Sequence, residues 1–172
     1  MSVEYIDAWR KDDPRLEADA RRIWSEPGVL PEGKGTETRM KELALVAYED
    51  GQLAGLTTLD VRVFPYVRQK FAFIRGFILP AFRMKAAGRD IMLETHKMIE
   101  TWALKNPGEK LAGLAAIIQV PGVGDHPVGR STGMVLVGYT DRNEQVRIAW
   151  FDHFRVPLNL PTLAPENLTG EK

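Results

Sequence analysis

The segment LALVAYEDGQLAGLTTLDVRVF, residues 43–64, constrains the fold more than any other part of the chain. Two strand-like apolar runs flank Glu49-Asp50-Gly51-Gln52, and Asp-Gly between such runs is a strong hairpin signal. The reason is steric: the tight turns that join two strands need positive φ, which glycine and aspartate tolerate. A further strand rich in Phe and Ile follows in VRQKFAFIRGFIL, and LAGLAAIIQV is short and apolar throughout, as a buried central strand would be. SVEYIDAW reads as a first strand. GMVLVGYT and QVRIAWFDHF read as two more, joined by a turn at Asp141-Arg142-Asn143.

Helices fall between these runs. Asp12, Asp13 and Pro14 suit a helix start, with an aspartate as cap and proline in the first turn. Leu16, Ala20 and Ile23 then lie on one face, until EPGVLPEGKG breaks the pattern. TETRMKEL allows one or two more helical turns. Ile91, Met92, Met98, Ile99, Trp102 and Ala103 recur at helical spacing, and NPG ends that helix. The order is strand, helices, three strands, helix, strand, loop and two strands, which describes one mixed α/β domain over residues 1–156. A Pro-rich tail follows over residues 157–172, expected to drape over the surface or to be disordered.

At 172 residues and 44% hydrophobic, the chain is long enough to bury a single core. Lys and Arg total 23, as do Asp and Glu, so bulk charge argues against a protein that coats nucleic acid or an anionic membrane. No run approaches the ~18 apolar residues of a membrane span, and the first residues are too charged for a secretory signal; a cytoplasmic protein is expected. With no cysteine, disulfides, thiolate metal sites and a cysteine nucleophile are excluded. His96, His126 and His153 are too dispersed for a zinc site, so no metal is expected.

The segment PAFRMKAAGRDIML joins an apolar strand to the long helix. A helix N-terminus carries unpaired N–H groups and partial positive charge, so it attracts anions. Small residues there would let a phosphate approach, and Arg83, Lys85 and Arg89 would add charge. An ordinary strand-to-helix turn with solvated basic residues is the competing reading. Neither G-x-G-x-x-G nor G-x-x-x-x-G-K-[ST] occurs, so no dinucleotide or nucleotide-triphosphate loop is written in the chain.

Arg83-Met84-Lys85-Ala86-Ala87-Gly88 resembles the R/Q-x-x-G-x-G/A signature of the GNAT superfamily, the acyl-CoA-dependent N-acyltransferases. Ile78-Leu79-Pro80-Ala81-Phe82-Arg83 is similar to the entry into that signature, Val46 to Gly55 to the family's second-to-third strand hairpin, and Leu136 to Thr140 to its sixth strand. The resemblance spans roughly residues 3–154. It implies a mixed, mainly antiparallel central sheet flanked by helices, and acetyl-CoA or coenzyme A as co-substrate. It further implies that Arg83, Met84, Lys85, Ala86, Ala87, Gly88 and Arg89 surround the coenzyme pyrophosphate. The pantetheine arm would then pair with backbone near Phe77, Ile78 and Leu79, where the fourth strand parts from its neighbour. The chain departs from the pattern twice. Ala86 replaces the first signature glycine, and the region after the fifth strand, Pro121 to Thr132, contains no tyrosine and no helix signal.

The family's usual proton donor to the leaving thiolate is therefore missing. His126, in the replacing loop, is a candidate acid or else a solvated histidine. Tyr139 is a candidate on the sixth strand, with a core or cleft-wall position as the alternative. Asp60 is a candidate base or amine-binding carboxylate on the acceptor side, with a plain strand-surface position as the alternative. Arg75 interrupts the apolar fourth strand, which suits either a structural ion pair or a substrate carboxylate. The implied function is transfer of an acetyl or acyl group to a primary amine of a small molecule or peptide. The alternative is a non-catalytic coenzyme-binding or regulatory module. A homodimer across the last strands suits this fold.

Overall fold

The computed structural model describes residues 2–26, 29, 35–83, 85–119 and 124–157, and the tail beyond residue 157 lies outside them. Ten elements follow one another: β1 (Val3–Asp7), α1 (Pro14–Trp24), α2 (Thr36–Met40), β2 (Leu43–Glu49), β3 (Gln52–Phe64), β4 (Gln69–Ile78), α3 (Ala86–Lys105), β5 (Leu111–Ile118), β6 (Val135–Tyr139) and β7 (Gln145–Trp150). One-turn helices at Pro80–Phe82 and Pro107–Glu109 bracket α3.

The expected hairpin forms between β2 and β3, with Asp50 at φ 50° and Gly51 at φ 74°, the left-handed pair that a tight turn requires. The strands form one seven-stranded sheet in the order β1-β2-β3-β4-β5-β7-β6. All neighbours run antiparallel except β4 and β5, which are parallel and joined by α3 as a crossover. The mixed, mainly antiparallel architecture expected from the sequence is therefore the one observed.

Alternation along the strands sorts side chains onto two faces. Leu59, Ala72, Ile74, Leu114, Ala116 and Ala149 turn toward α3. The helix answers with Ile91, Thr95 and Ile99, all buried and spaced one turn apart. Thr95 is the polar member of that stripe; its hydroxyl donates to the Ile91 carbonyl at 2.8 Å and meets the Thr57 hydroxyl at 2.9 Å, so nothing is left unpaired. On the opposite face, Val46, Tyr48, Leu53 and Leu56 pack against Leu16, Ala20 and Ile23 of α1. The Asp13 carboxylate caps α1 by accepting from the Arg15 and Leu16 N–H groups at 2.9 and 3.3 Å.

The buried Tyr48 hydroxyl donates to the Asp19 carboxylate of α1. Burial first, and then that carboxylate, push the phenol from its ordinary 10.0 up to about 12. Below pH 10 both folded and unfolded chains hold the proton, and the stabilising contribution is complete. As pH rises from there toward about 12, only the unfolded chain releases it, so the contribution is lost. Urea unfolding should show stability falling across that alkaline window, with the drop reduced in Tyr48→Phe. Separately, Ile99→Ala should cost about 2–5 kcal/mol in the same assay, since its side chain is fully enclosed between α3 and the sheet.

Candidate functional site

The parallel pairing of β4 with β5 runs from Lys70↔Leu111 to Ile74↔Ala116 and stops there. Both strands continue. The rest of β4 stays paired with β3 as far as Gly55↔Ile78, and the end of β5 stays paired with β7 as far as Ile118↔Gln145. A slot therefore opens in the sheet, bounded by the C-terminal ends of two parallel strands. The Leu79 N–H donates to the Ala54 carbonyl at 2.9 Å, which sets the phase of the β4 ladder. By alternation, the polar backbone groups of Phe77 and Leu79 face β3, whereas those of Gly76 and Ile78 face the slot. Of the three residues expected to offer backbone there, only Ile78 does so. Gly76 replaces the other two.

The turn from β4 into α3 closes the mouth of the slot. Arg83 and Lys85 are exposed; the Arg83 guanidinium lies 3.5 Å from the Ile78 carbonyl, and the Lys85 ammonium stands 4.7 Å over the Phe82 ring. Met84 lies outside the described residues, as does the side chain of Arg89. Lys85 is the cap residue of α3, with no side-chain cap bond, and its N–H donates to the Phe82 carbonyl at 3.0 Å. The first turn of the helix contains no acidic residue. Its orphan donors are the N–H groups of Ala86, Ala87 and Gly88.

Two of these residues are used differently from the sequence expectation. The Ala87 N–H is already taken, donating at 3.1 Å to the carboxylate of Glu49, which is buried at the end of β2. The Ala87 methyl is enclosed among Leu45, Ala47 and Ile91. Gly88 is small for a packing reason. A Cβ there would lie 2.3 Å from the Phe82 carbonyl oxygen and 3.2 Å from the Arg83 Cα, so the glycine admits the chain's own turn. A bulky residue at Gly88 would therefore disrupt that turn instead of merely blocking an anion. The N–H groups of Ala86 and Gly88 have no partner among the described residues. The Ala86 carbonyl accepts from the Tyr5 hydroxyl at 3.4 Å.

Beyond β5, the described loop residues are tied down by Arg147. This buried β7 arginine donates to the carbonyls of Gly124 at 2.7 Å and His126 at 2.6 Å, and to the Gln145 side chain at 2.9 Å. The Gln145 amide also reaches the Gly124 carbonyl, at 3.0 Å. One side chain thus does the ordering that a helix would do. The His126 imidazole points away into solvent, 47% exposed, with Asp125 at 3.8 Å. Tyr139 is exposed on the outermost strand, three strands from β4 and so about 14 Å away at ordinary strand spacing. It is neither in the core nor on a wall of the slot. Asp60 lies on the face opposite α3 and is one-third exposed, 3.7 Å from the Arg62 guanidinium. The slot end of the sheet therefore unites Gly76, Ile78 and the α3 turn, and leaves Tyr139 aside.

Sequence reasoning did not single out Glu49, Gly76 or Arg147. Glu49 and Arg147 break the apolar alternation of strands that are otherwise buried, and that interruption was the available signal. Among the described residues, no group of three or more His, Asp or Glu side chains could hold a metal, and no helix is long and apolar enough to cross a membrane.

The architecture is shared with solved acetyltransferases. The crystal structure of the ribosomal-protein alanine N-acetyltransferase of Escherichia coli superposes with a TM-score of 0.58 at 11% identity, covering 94% of this chain and 100% of that one. A GNAT-family acetyltransferase of Brucella melitensis, solved in complex with acetyl-CoA, gives 0.52 at 17% identity, covering 87% and 88%. The acetyltransferase of GNAT family from Streptococcus pneumoniae gives 0.52 at 16% identity, covering 86% and 96%. No protein-family model matches the sequence, and no curated protein matches it. The chain has the GNAT fold, at a sequence distance that speaks for the fold alone.

Arg147→Met, which keeps the length and removes the donors, should free the Gly124–Met134 backbone. Amide hydrogen exchange in that segment should rise by about tenfold or more while the protection of α3 is unchanged. Equal protection in both proteins would show that Arg147 does not order the loop.

Proposed function

We propose that the chain is an acyl-CoA-dependent N-acyltransferase acting on a primary amine. The observation that carries this reading is the slot: β4 and β5 part after Ile74↔Ala116, with open backbone on one side and a helix N-terminus at the mouth. The residues present fit an acyl-CoA. The N–H groups of Ala86 and Gly88 suit the pyrophosphate, with the backbone of Met84 and Arg89 proposed beside them and the Arg83 and Lys85 side chains supplying charge. The outward backbone of Gly76 and Ile78 suits an amide-bearing arm, extending the sheet as a strand would. When bound, the thioester supplies an activated acyl group and a thiolate leaving group.

The protein's work is then positioning. An arm fixed along β4 holds the thioester carbonyl in the slot, while the partly exposed patch of Asp60 and Arg75 on the face opposite α3 is within reach of the amine. Fixing two reactants this way accounts for a large share of the rate in such transfers. A thiolate is a far better leaving group than an alkoxide or an amide anion, and it leaves without strong acid assistance. Solvent can therefore supply the proton that the family's tyrosine would give, and His126, the candidate acid in this loop, stands in that solvent.

One observation favours the second reading, a non-catalytic module. The Glu49 carboxylate sits where negative charge opposes a pyrophosphate, and it occupies one of the donors at the α3 N-terminus.

Calorimetric titration with acetyl-CoA and coenzyme A tests the coenzyme site, and thiol release in the presence of an amine separates an enzyme from a module that only binds. Ala86→Pro is the informative variant, because proline is well accepted at the first helical position and Lys85 already holds the extended conformation that precedes proline. It deletes one N–H donor and leaves the helix in place. Micromolar binding of the parent, weakened about ten- to hundredfold in Ala86→Pro, is the expected result. Glu49→Gln should bind more tightly than the parent, by relief of charge repulsion. Absence of binding by all three proteins would overturn the enzyme reading.

A further inference from the structure

We infer that the amine acceptor carries a carboxylate, and that Arg75, backed by the buried Arg39, holds that carboxylate beside the slot. This rests on the acyltransferase reading for the word acceptor, but the anion site itself stands on separate observations.

Arg75 follows Ile74, the last β4 residue paired with β5, so it is the first residue of β4 at the opening. Its side chain alternates onto the face opposite α3, beyond the part of that face that α1 covers, and Arg75 reaches solvent there. There it meets an unequal charge cluster. Arg39, buried on α2, donates to the Glu42 carboxylate at 2.6 Å. Arg75 approaches the same carboxylate only to 3.7 Å and is 40% exposed. One glutamate thus serves two guanidinium groups, and its strong bond goes to the buried one. The neighbouring pair, Arg62 and Asp60 at 3.7 Å, is internally balanced, and Arg62 lies 3.9 Å over the Phe73 ring. Arg39, Arg62 and Arg75 set against Glu42 and Asp60 leave one positive charge in excess among these groups.

A structural ion pair alone would place Glu42 squarely between its arginines. Here the Arg75 fork is held near the carboxylate without being satisfied by it. Burial and the charge of Arg39 both disfavour the charged state of Arg75, so an added anion would relieve the site. A carboxylate matches the planar fork in a bidentate fashion. Asp60, on the same face and close enough to act on Arg75, offers a counter-charge to an ammonium before it loses its proton for attack. An amine and a carboxylate in one small molecule would satisfy both groups, whereas a plain alkylamine would meet the excess positive charge without compensation.

The test uses the full chain with 15N-labelled arginine. The Arg75 Nε–Hε resonance is assigned by its absence from Arg75→Gln. Propionate, β-alanine and propylamine are then titrated separately, without coenzyme, to about 10 mM. The two carboxylates should shift the Arg75 resonance saturably, and propylamine should not. Arg75→Lys should still bind β-alanine, but more weakly, having kept the charge and lost the fork. Thiol release from acetyl-CoA should be faster with β-alanine as acceptor than with β-alaninamide, by about tenfold or more in kcat/KM. The preference should vanish in Arg75→Gln while the dissociation constant for acetyl-CoA stays the same.

An Arg75 resonance unmoved by either carboxylate overturns the inference, whatever the coenzyme does. So does an amide used as well as its acid, or a preference that survives in Arg75→Gln. A saturable shift in a chain that fails to bind acetyl-CoA would keep the anion site and remove only the acyltransferase reading.

Discussion

The pairing of β4 with β5 is the one parallel contact in the sheet, and the rest of the molecule is arranged around where it ends. A parallel neighbour requires a crossover, and α3 provides it, covering one face of the sheet on the way. The crossover brings the N-terminus of α3 to the C-terminal end of β4. The same geometry leaves β3 and β7 to hold the two strands after they separate. Backbone that lacks a strand partner must find water or a ligand, since a buried unpaired amide is costly. Gly76 is exposed to water and the Ile78 carbonyl has the Arg83 guanidinium at 3.5 Å, so the opening is met by solvent and a side chain at the place where a ligand would pair.

The α3 turn shows two demands meeting on a few atoms. Stability asks for the orphan N–H groups to be capped, and Glu49 answers from a distant strand where Lys85 cannot. Anion binding asks for the same groups to be left open. Dividing them, with Ala87 given to Glu49 and Ala86 and Gly88 left to solvent, satisfies both in part. Gly88 belongs to the first demand, because its missing Cβ makes room for the Phe82 carbonyl. Residues that a signature suggests for ligand contact can therefore be fixed by packing of the chain against itself.

Much of the architecture was legible in the residues. The Asp50-Gly51 turn, the Asp13-Pro14 helix start and the Ile91-to-Ala103 periodicity each act locally, so the sequence carries their signal directly. The β4-to-α3 turn was equally visible, as small and basic residues between a strand and a helix. Glu49, Arg147, Arg39 and Glu42 were not. Each owes its role to partners far away in sequence or on another element, and a lone polar residue in an apolar run does not say which partner it has. Tyr139 misled for the related reason that a strand's rank in the sheet is not written along the chain. The sixth strand forms the outer edge, with β7 between it and β5.

The sequence by itself determined the local elements, because turn sterics, capping and apolar periodicity operate within a few residues of one another. It also excluded a cysteine nucleophile and a cysteine metal site, since the sequence has no cysteine. Tertiary structure alone decided where β4 and β5 part, which helix donors remain open, and which guanidinium goes short of a carboxylate. Those outcomes depend on register between distant strands and on competition among buried polar groups. Both are settled only when the whole sheet is assembled and every donor must be matched at once.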